Sequence, residues 1–412
     1  MINFLDGVFF FYTFVGLYML SMFVIIYLMN SKKIFDYPKG KIEPVSIVMP
    51  CYNESDSIGN AIESLLNLDW PKDKLEIIIV DDASTDNSVE IIKKYVKKDS
   101  RIKLIVNKVN SGKAAGPKNI GAKAAKYDYI AFTDADSTPQ RDALKKMIGF
   151  LQHDKKVGGV TCAVLANRGG NFMQRLQELE YVVIAFGRKL LDCVDSVYVT
   201  PGPFCLYKKK VFMKVGMFDT KNMTEDIELV WRMLDYGYLA RMCLATQVRA
   251  TTPSLFKKWW KQRLRWNIGG NQTLWKYKHL VLRKGMLGAF IIPFFSLSLF
   301  IGLFGLGIFS YLMIKRLLIW YLSITYSVYI DTAILHMQDL SFAPSVLNYF
   351  GVILFLLGSS YTLFGLTMMK EKELRNRHIF TLVFYLSIYL MIYPFIMINA
   401  LTQLLTGKYS WR

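Results

Sequence analysis

The chain has 412 residues, 53% of them hydrophobic and 15% aromatic, with 51 Lys plus Arg against 32 Asp plus Glu and a formal charge of +19. So much apolar content excludes a disordered chain, and its uneven spread excludes a wholly water-soluble one. Apolar residues crowd into Leu5–Met29 and Met286–Leu405, on either side of a segment with the mixed composition of an α/β domain.

In chain order, Leu5–Met29 is too long for a signal peptide, no Lys or Arg precedes it, and no small-residue cleavage site follows. The basic stop Asn30-Ser31-Lys32-Lys33 comes directly after it. This predicts an anchor with its amino end outside and the next domain in the cytosol. The five cysteines, Cys51, Cys162, Cys193, Cys205 and Cys243, form no CxxC pair. That argues against a disulfide framework or a zinc site and suits a reducing compartment. A basic surface also suits nucleic acid, but no RNP, zinc-finger or basic-zipper pattern occurs. Lysines lie instead in helix-like stretches such as Val89–Arg101, so the charge is assigned to a cytoplasmic surface and no nucleic-acid partner is expected.

Pro44–Pro50 reads as a strand, Cys51-Tyr52-Asn53-Glu54 as a loop and Ser57–Leu66 as an amphipathic helix. Leu75–Val80 is a buried-strand run ending at Asp81-Asp82-Ala83-Ser84. Ile102–Val106 is strand-like, Lys113–Lys126 helical, and Asp128–Thr133 a strand ending at Asp134-Ala135-Asp136. Alternating strands and helices predict a mostly parallel sheet, whose ligands bind beyond the carboxyl ends of the strands. No GxGxxG follows the first strand and no GxxxxGK[ST] occurs, which argues against dehydrogenases and P-loop kinases. On an extended strand Asp134 and Asp136 point the same way, and two hard oxygens suit a divalent cation with positions left for phosphate. Asp81 and Asp82 at a neighbouring strand end strengthen that reading, although loop acids also stand solvated without any ligand.

Thr224 stands as a helix cap before Glu225 and Asp226, whose charge would favour a helix N-terminus even without chemistry. In Lys261-Gln262-Arg263-Leu264-Arg265-Trp266, the residues Gln262, Arg265 and Trp266 share one helix face. An amide, a guanidinium fork and an indole there suit a diphosphate and a sugar ring. The same stretch, with Trp259 and Trp260, also suits an interfacial helix. Further on, Leu287–Ile314, Val346–Met369 and Ile379–Leu405 read as spans. Leu317–Leu335 contains Asp331 and either spans, re-enters or lies at the interface. Counting it gives five spans and a cytosolic C-terminus; omitting it gives four and puts Lys370–Arg377 inside.

The order DDAS, NSGKAAGPKNIG, DAD, GPF, TED and QRLRW resembles the family 2 glycosyltransferases over about Pro44–Gly270. It most resembles the processive membrane synthases of cellulose, chitin, hyaluronan and poly-N-acetylglucosamine. One departure is Ala83, where that family commonly has glycine. The resemblance implies a GT-A-like α/β nucleotide-sugar-binding domain with a mixed, mostly parallel sheet, inserted between α-helical transmembrane segments. It implies that Tyr52, Glu54, Asp81 and Asp82 hold the nucleotide with Lys113 nearby, and that Asp134 and Asp136 contact UDP and a Mg2+ or Mn2+ ion. Asp226, with Glu225 beside it, would be the general base, while Gln262, Arg265 and Trp266 brace the diphosphate and the acceptor sugar. The tail Gly407–Arg412 faintly resembles the gating segments of some of these synthases, which favours five spans.

The expected layout is an anchor over 1–32, a cytosolic catalytic domain over 33–255, interface helices over 256–285 and a transmembrane region over 286–412. The expected function is an inverting transfer from a UDP-sugar that extends a β-linked polysaccharide, coupled to export, in a multi-pass cell-membrane protein. Two alternatives stand beside it. One is transfer of a single sugar to a membrane lipid such as a polyprenyl phosphate or ceramide-like acceptor, and the other is a transporter or scaffold without catalysis.

Overall fold

The computed structural model describes residues 4–329, 346–369 and 379–409. In chain order these contain α1 (Phe4–Asn30), β1 (Val45–Cys51), α2 (Ile58–Leu66), β2 (Leu75–Asp81), α3 (Ser88–Lys98), β3 (Ile102–Val106), α4 (Ala115–Ala124), β4 (Tyr129–Phe132) and β5 (Ser137–Pro139). They continue with α5 (Ala143–His153), β6 (Val157–Ala166), α6 (Phe172–Asp192), β7 (Cys205–Lys208), α7 (Lys209–Lys214), α8 (Glu225–Asp235), β8 (Leu239–Ala250) and α9 (Phe256–Tyr277). The apolar C-terminal third supplies α10 (Ile292–Tyr329), α11 (Val346–Met368), α12 (Ile379–Ser387) and α13 (Tyr393–Thr406).

The eight strands form one sheet in the order β3-β2-β1-β4-β7-β6-β8-β5. β3, β2, β1 and β4 are parallel, as the alternation of strands and helices predicts. β7 then inserts antiparallel between β4 and β6, and β5 closes the far edge antiparallel to β8. Sequence periodicity did not foresee this second half. Both faces are covered, which is why β1 and β2 read as continuous apolar runs. Ile47, Met49, Ile77 and Ile79 pack on one face with α2 and α5, while Val48, Ile78, Val80 and Phe132 pack on the other.

Among the described residues, three helical stretches are long and apolar enough to cross a bilayer: Phe4–Asn30, Leu287–Tyr329 and Ile379–Thr406. The chain is thus a membrane protein. Tyr27 packs edge-on against Phe364 with centroids 4.7 Å apart, and Tyr12 Oη donates to the Ile301 carbonyl at 2.6 Å, so α1 joins α10 and α11. One expectation is corrected here. The sequence separates Leu287–Ile314 from Leu317–Leu335, but the described helix runs unbroken through Lys315 and Arg316. Together with the turn from Leu287 before it, the stretch has 43 residues and makes about 65 Å at the α-helical rise. That is about twice a 30 Å hydrocarbon core. The expected span Ile379–Leu405 is long and apolar enough to cross, but it is not one straight helix. A 3-10 turn over Tyr389–Ile392 interrupts it, and Pro394 opens α13, because proline has no N–H to continue α12. Asp331, Lys370–Arg377 and the end of the tail lie outside the described residues.

Candidate active site

A cavity of about 560 Å³ opens beyond the carboxyl ends of β1, β2 and β4 and is closed by α6, α8 and α9. Tyr52, Glu54, Asp82, Lys113, Asp134, Asp136, Glu225, Asp226, Gln262, Arg265 and Trp266 all line it. Asp81 does not. Alternation along β2 turns it toward the face of Ile77 and Ile79, where its Oδ2 accepts from the Ser84 N–H at 3.0 Å. Between Asp82 and Ser84, Ala83 takes φ 62°, the left-handed region that favours glycine.

Asp82 is buried and already well used: Oδ1 accepts from Asn107 Nδ2 at 2.8 Å, and Oδ2 from the Ser111 N–H at 2.9 Å and hydroxyl at 2.7 Å. It therefore anchors the loop before α4 to the strand end. Lys113, on that loop, donates to the carbonyls of Lys221 at 2.7 Å and Asn222 at 3.3 Å, tying the loop to the segment before α8. Burial lowers its pKa. Across the cavity, Ser57 Oγ donates to Glu54 Oε2 at 2.6 Å, and burial raises the Glu54 pKa despite that bond.

Asp134 and Asp136 both reach the cavity, but not from an extended strand. β4 ends at Phe132, and a turn closed by the Ser137 N–H donating to the Asp134 carbonyl at 3.2 Å carries both. Burial, then the nearby Asp134 and Glu54, pushes Asp136 up to about 7. Carboxylates crowded this way fit a cation between them. Among the described residues no group of three or more His, Cys, Asp or Glu side chains has metal-holding geometry. The donor set thus suits a hard ion held by one or two carboxylates and completed by phosphate and water.

Lys118 was not singled out from sequence, yet it sits at the centre. Its Nζ lies 3.2 Å from both Asp134 Oδ1 and Glu225 Oε1 and its side chain is only 3% exposed. Burial opposes its charge, but Asp134 and Glu225 outweigh burial and raise its pKa. Room for this cluster depends on Gly202, where a Cβ would meet Asp134 Oδ2 at 2.7 Å and Lys118 Nζ at 3.1 Å. The missed signal was a lysine on a helix face otherwise made of Ala115, Pro117, Gly121 and Ala122.

Glu225 and Asp226 begin α8 with different environments. Glu225 is drawn down by Lys118 against its burial, whereas burial and the Glu225 charge push Asp226 up to about 6. The pair therefore separates into a fixed anion and a carboxyl that titrates near neutrality. Glu225, expected beside the base, is instead engaged in an ion pair. Thr224 holds the N-cap position but makes no side-chain cap; its Oγ1 donates to Asn222 Oδ1 at 3.4 Å. α9 approaches so closely that a Cβ on Gly269 would lie 2.2 Å from Thr224 Oγ1. Gln262, Arg265 and Trp266 occupy the cavity side of α9, and the buried Gln262 Oε1 has no hydrogen-bond partner among the described residues. The far end of the cavity is lined by Tyr181, Ile184, Arg188 and Tyr198, none of which sequence reasoning identified because α6 went unread.

Residues 46–216 match the family model described as Glycosyl transferase family 2. That match covers less than half of the chain. The chain is 33% identical over 249 residues to the poly-beta-1,6-N-acetyl-D-glucosamine synthase of Staphylococcus aureus strain MSSA476, covering 60% of this chain and 59% of that protein. It is 31% identical over 255 residues to the synthase of the same name from Staphylococcus epidermidis, covering 62% and 61%. The match thus spans about three fifths of the length of these relatives. In fold, the chain is similar to the mannosyltransferase PcManGT from Pyrobaculum calidifontis, solved in complex with GDP-Man and Mn2+. The TM-score is 0.54 at 17% identity, over 96% of this chain and 99% of that one. The sheet domain has the expected GT-A-like architecture, with apolar helices on both sides of it.

Proposed function

We propose that the protein is an inverting, processive glycosyltransferase that extends a β-linked polysaccharide from a UDP-sugar, with UDP-N-acetylglucosamine as donor. The observation that carries it is one cavity with carboxylates at the strand ends and a raised carboxyl, a guanidinium and an indole facing them from α8 and α9. The likeness to the staphylococcal synthases supports the donor and the polymer. Tyr52, Glu54 and Asp82 line the nucleotide end, with Lys113 beside it. Asp134 and Asp136 would hold a Mg2+ or Mn2+ ion, which when bound neutralises charge on the diphosphate.

Asp226 accepts the proton of the acceptor hydroxyl as that oxygen attacks the anomeric carbon. The new C–O bond forms as the bond from carbon to the diphosphate oxygen breaks, and UDP departs on the opposite face. One such displacement inverts the centre, so an α-linked donor gives a β-linkage. Arg265 stabilises charge growing on the leaving diphosphate. Lys118 keeps Glu225 ionised and Asp134 in place. Trp266 offers its indole face to the acceptor ring. The layout of 1–32, 33–255, 256–285 and 286–412, a cytosolic catalytic domain and a multi-pass arrangement in the cell membrane belong to the same reading, supported by Lys32 and Lys33 after α1.

Purified protein is to be offered a panel of UDP-sugars, and the product sized by mass spectrometry. A ladder of many N-acetylglucosamine units is expected. A single sugar on lipid would replace this reading with the lipid-acceptor one, and full activity in excess chelator would remove the cation from it.

A further inference from the structure

Behind the cavity wall, α6, α9 and the interrupted last apolar segment meet at one buried group of polar side chains. Arg263 Nη2 donates to Glu180 Oε2 at 2.5 Å, with the two side chains 1% and 6% exposed. The same carboxylate accepts from Tyr389 Oη at 2.9 Å, in the turn that follows α12, and from Tyr393 Oη at the start of α13. Trp259 Nε1 donates to Tyr389 Oη at 2.7 Å. The guanidinium carbon of Arg263 lies 4.1 Å from the centre of the Trp266 ring and 5.8 Å from that of Tyr181, and both rings line the cavity.

A buried ion pair adds little stability over apolar residues of the same size. This one also leaves Arg263 Nε and Nη1 buried without hydrogen-bond partners among the described residues. What a flat guanidinium supplies that an apolar side chain does not is a charged plane seated against an indole face. We propose that Arg263 is a positioning residue: Glu180, gripped by Tyr389 and Tyr393, fixes the guanidinium, and the guanidinium fixes the plane of Trp266. The last apolar segment thereby sets the orientation of the ring that receives the acceptor sugar. This rests on the reading of Trp266 as the acceptor platform given above.

The test uses the full chain carrying fluorotryptophan, with the Trp266 fluorine NMR signal assigned by its loss in Trp266→Phe. The paired variant Glu180→Gln with Arg263→Met removes both charges but leaves a carbonyl for the two phenols. Its melting temperature is expected close to that of the wild type. The Trp266 signal is expected to move, and transfer from UDP-N-acetylglucosamine to fall roughly ten- to hundredfold. Donor hydrolysis and UDP affinity are expected to change far less. Arg263→Lys keeps the charge but not the plane, so it should move the Trp266 signal as well. Tyr393→Phe should move it by less. An unmoved Trp266 signal with an unchanged ratio of transfer to hydrolysis, in folded protein, overturns the proposal. Should the paired variant fail to fold, Arg263→Lys decides on the same two readings. Should the wild type transfer no sugar, the proposed reaction falls, and the fluorine signal alone then upholds or overturns the positioning role.

Discussion

The two walls of the cavity are built by different physics. On the strand-end wall, Glu54, Asp82, Asp134 and Asp136 follow closely on β1, β2 and β4; hydroxyls in the same loops hold Glu54 and Asp136, and the loop before α4 holds Asp82. On the helix wall, Asp226, Gln262, Arg265 and Trp266 arrive from far along the chain. Their placement depends on tight contacts such as that of Gly269 with Thr224. Local geometry thus sets the carboxylates of one wall, while long-range packing sets the groups we assign to the chemistry on the other. Damage to the two walls should therefore look different.

The largest effect is expected from Asp226→Asn, which removes the proposed base without touching the strand-end wall. Transfer should fall by roughly a hundred- to ten-thousandfold. UDP affinity measured by calorimetry should hardly change; its collapse would move Asp226 to the nucleotide side. The same residue sets a pH dependence. In the proposed mechanism ionised Asp226 is the active form, so transfer should rise with pH through about 6 and level off above it. For stability the sign is opposite. The raised folded pKa means that the stabilisation held below about pH 4 is lost as pH climbs through the folded value. Asp226→Asn should therefore melt no earlier than the wild type at pH 7.5, even with its transfer largely lost.

Lys118→Met tests the link between the walls. It strips the shared cation from Asp134 and Glu225 and leaves Glu225 buried and unpaired. A loss of about 3 kcal/mol in denaturant unfolding is expected, together with a lower activity plateau. A variant as stable as the wild type would mean that Glu225 takes up a proton or finds another partner. The smallest effects come from neighbouring glycines on α9. Gly269→Ala would crowd Thr224 and should cost about 2 kcal/mol and disturb the base. Gly270→Ala meets nothing within 4 Å and should stabilise the helix by about 0.5 kcal/mol with activity intact. Equal behaviour of the two would show that α9 does not press on Thr224.

Much of the strand-end wall was legible beforehand. An apolar run that ends in acids is a buried parallel strand delivering carboxylates to the ligand edge, whatever the rest of the chain does. The shared face of Gln262, Arg265 and Trp266 was equally legible, because helical spacing is a local property. Other features depended on neighbours. The turn after β4 replaced the extended strand expected for Asp134 and Asp136, and alternation along β2 took Asp81 out of the cavity. Periodicity finds strands, but it does not say where a strand stops or which of two adjacent acids faces the ligand.

From sequence alone came the apolar segments, the first four strands and many of the residues in the cavity, because each reflects local periodicity or composition. Tertiary structure decided the antiparallel insertion of β7, the unbroken helix through Lys315, and the break before Pro394 that brings Tyr389 and Tyr393 to Glu180. It alone separated Glu225 from Asp226, two adjacent carboxylates that look interchangeable in the chain. Their difference is made by Lys118, more than a hundred residues earlier, and a charge brought that far by folding leaves no local trace.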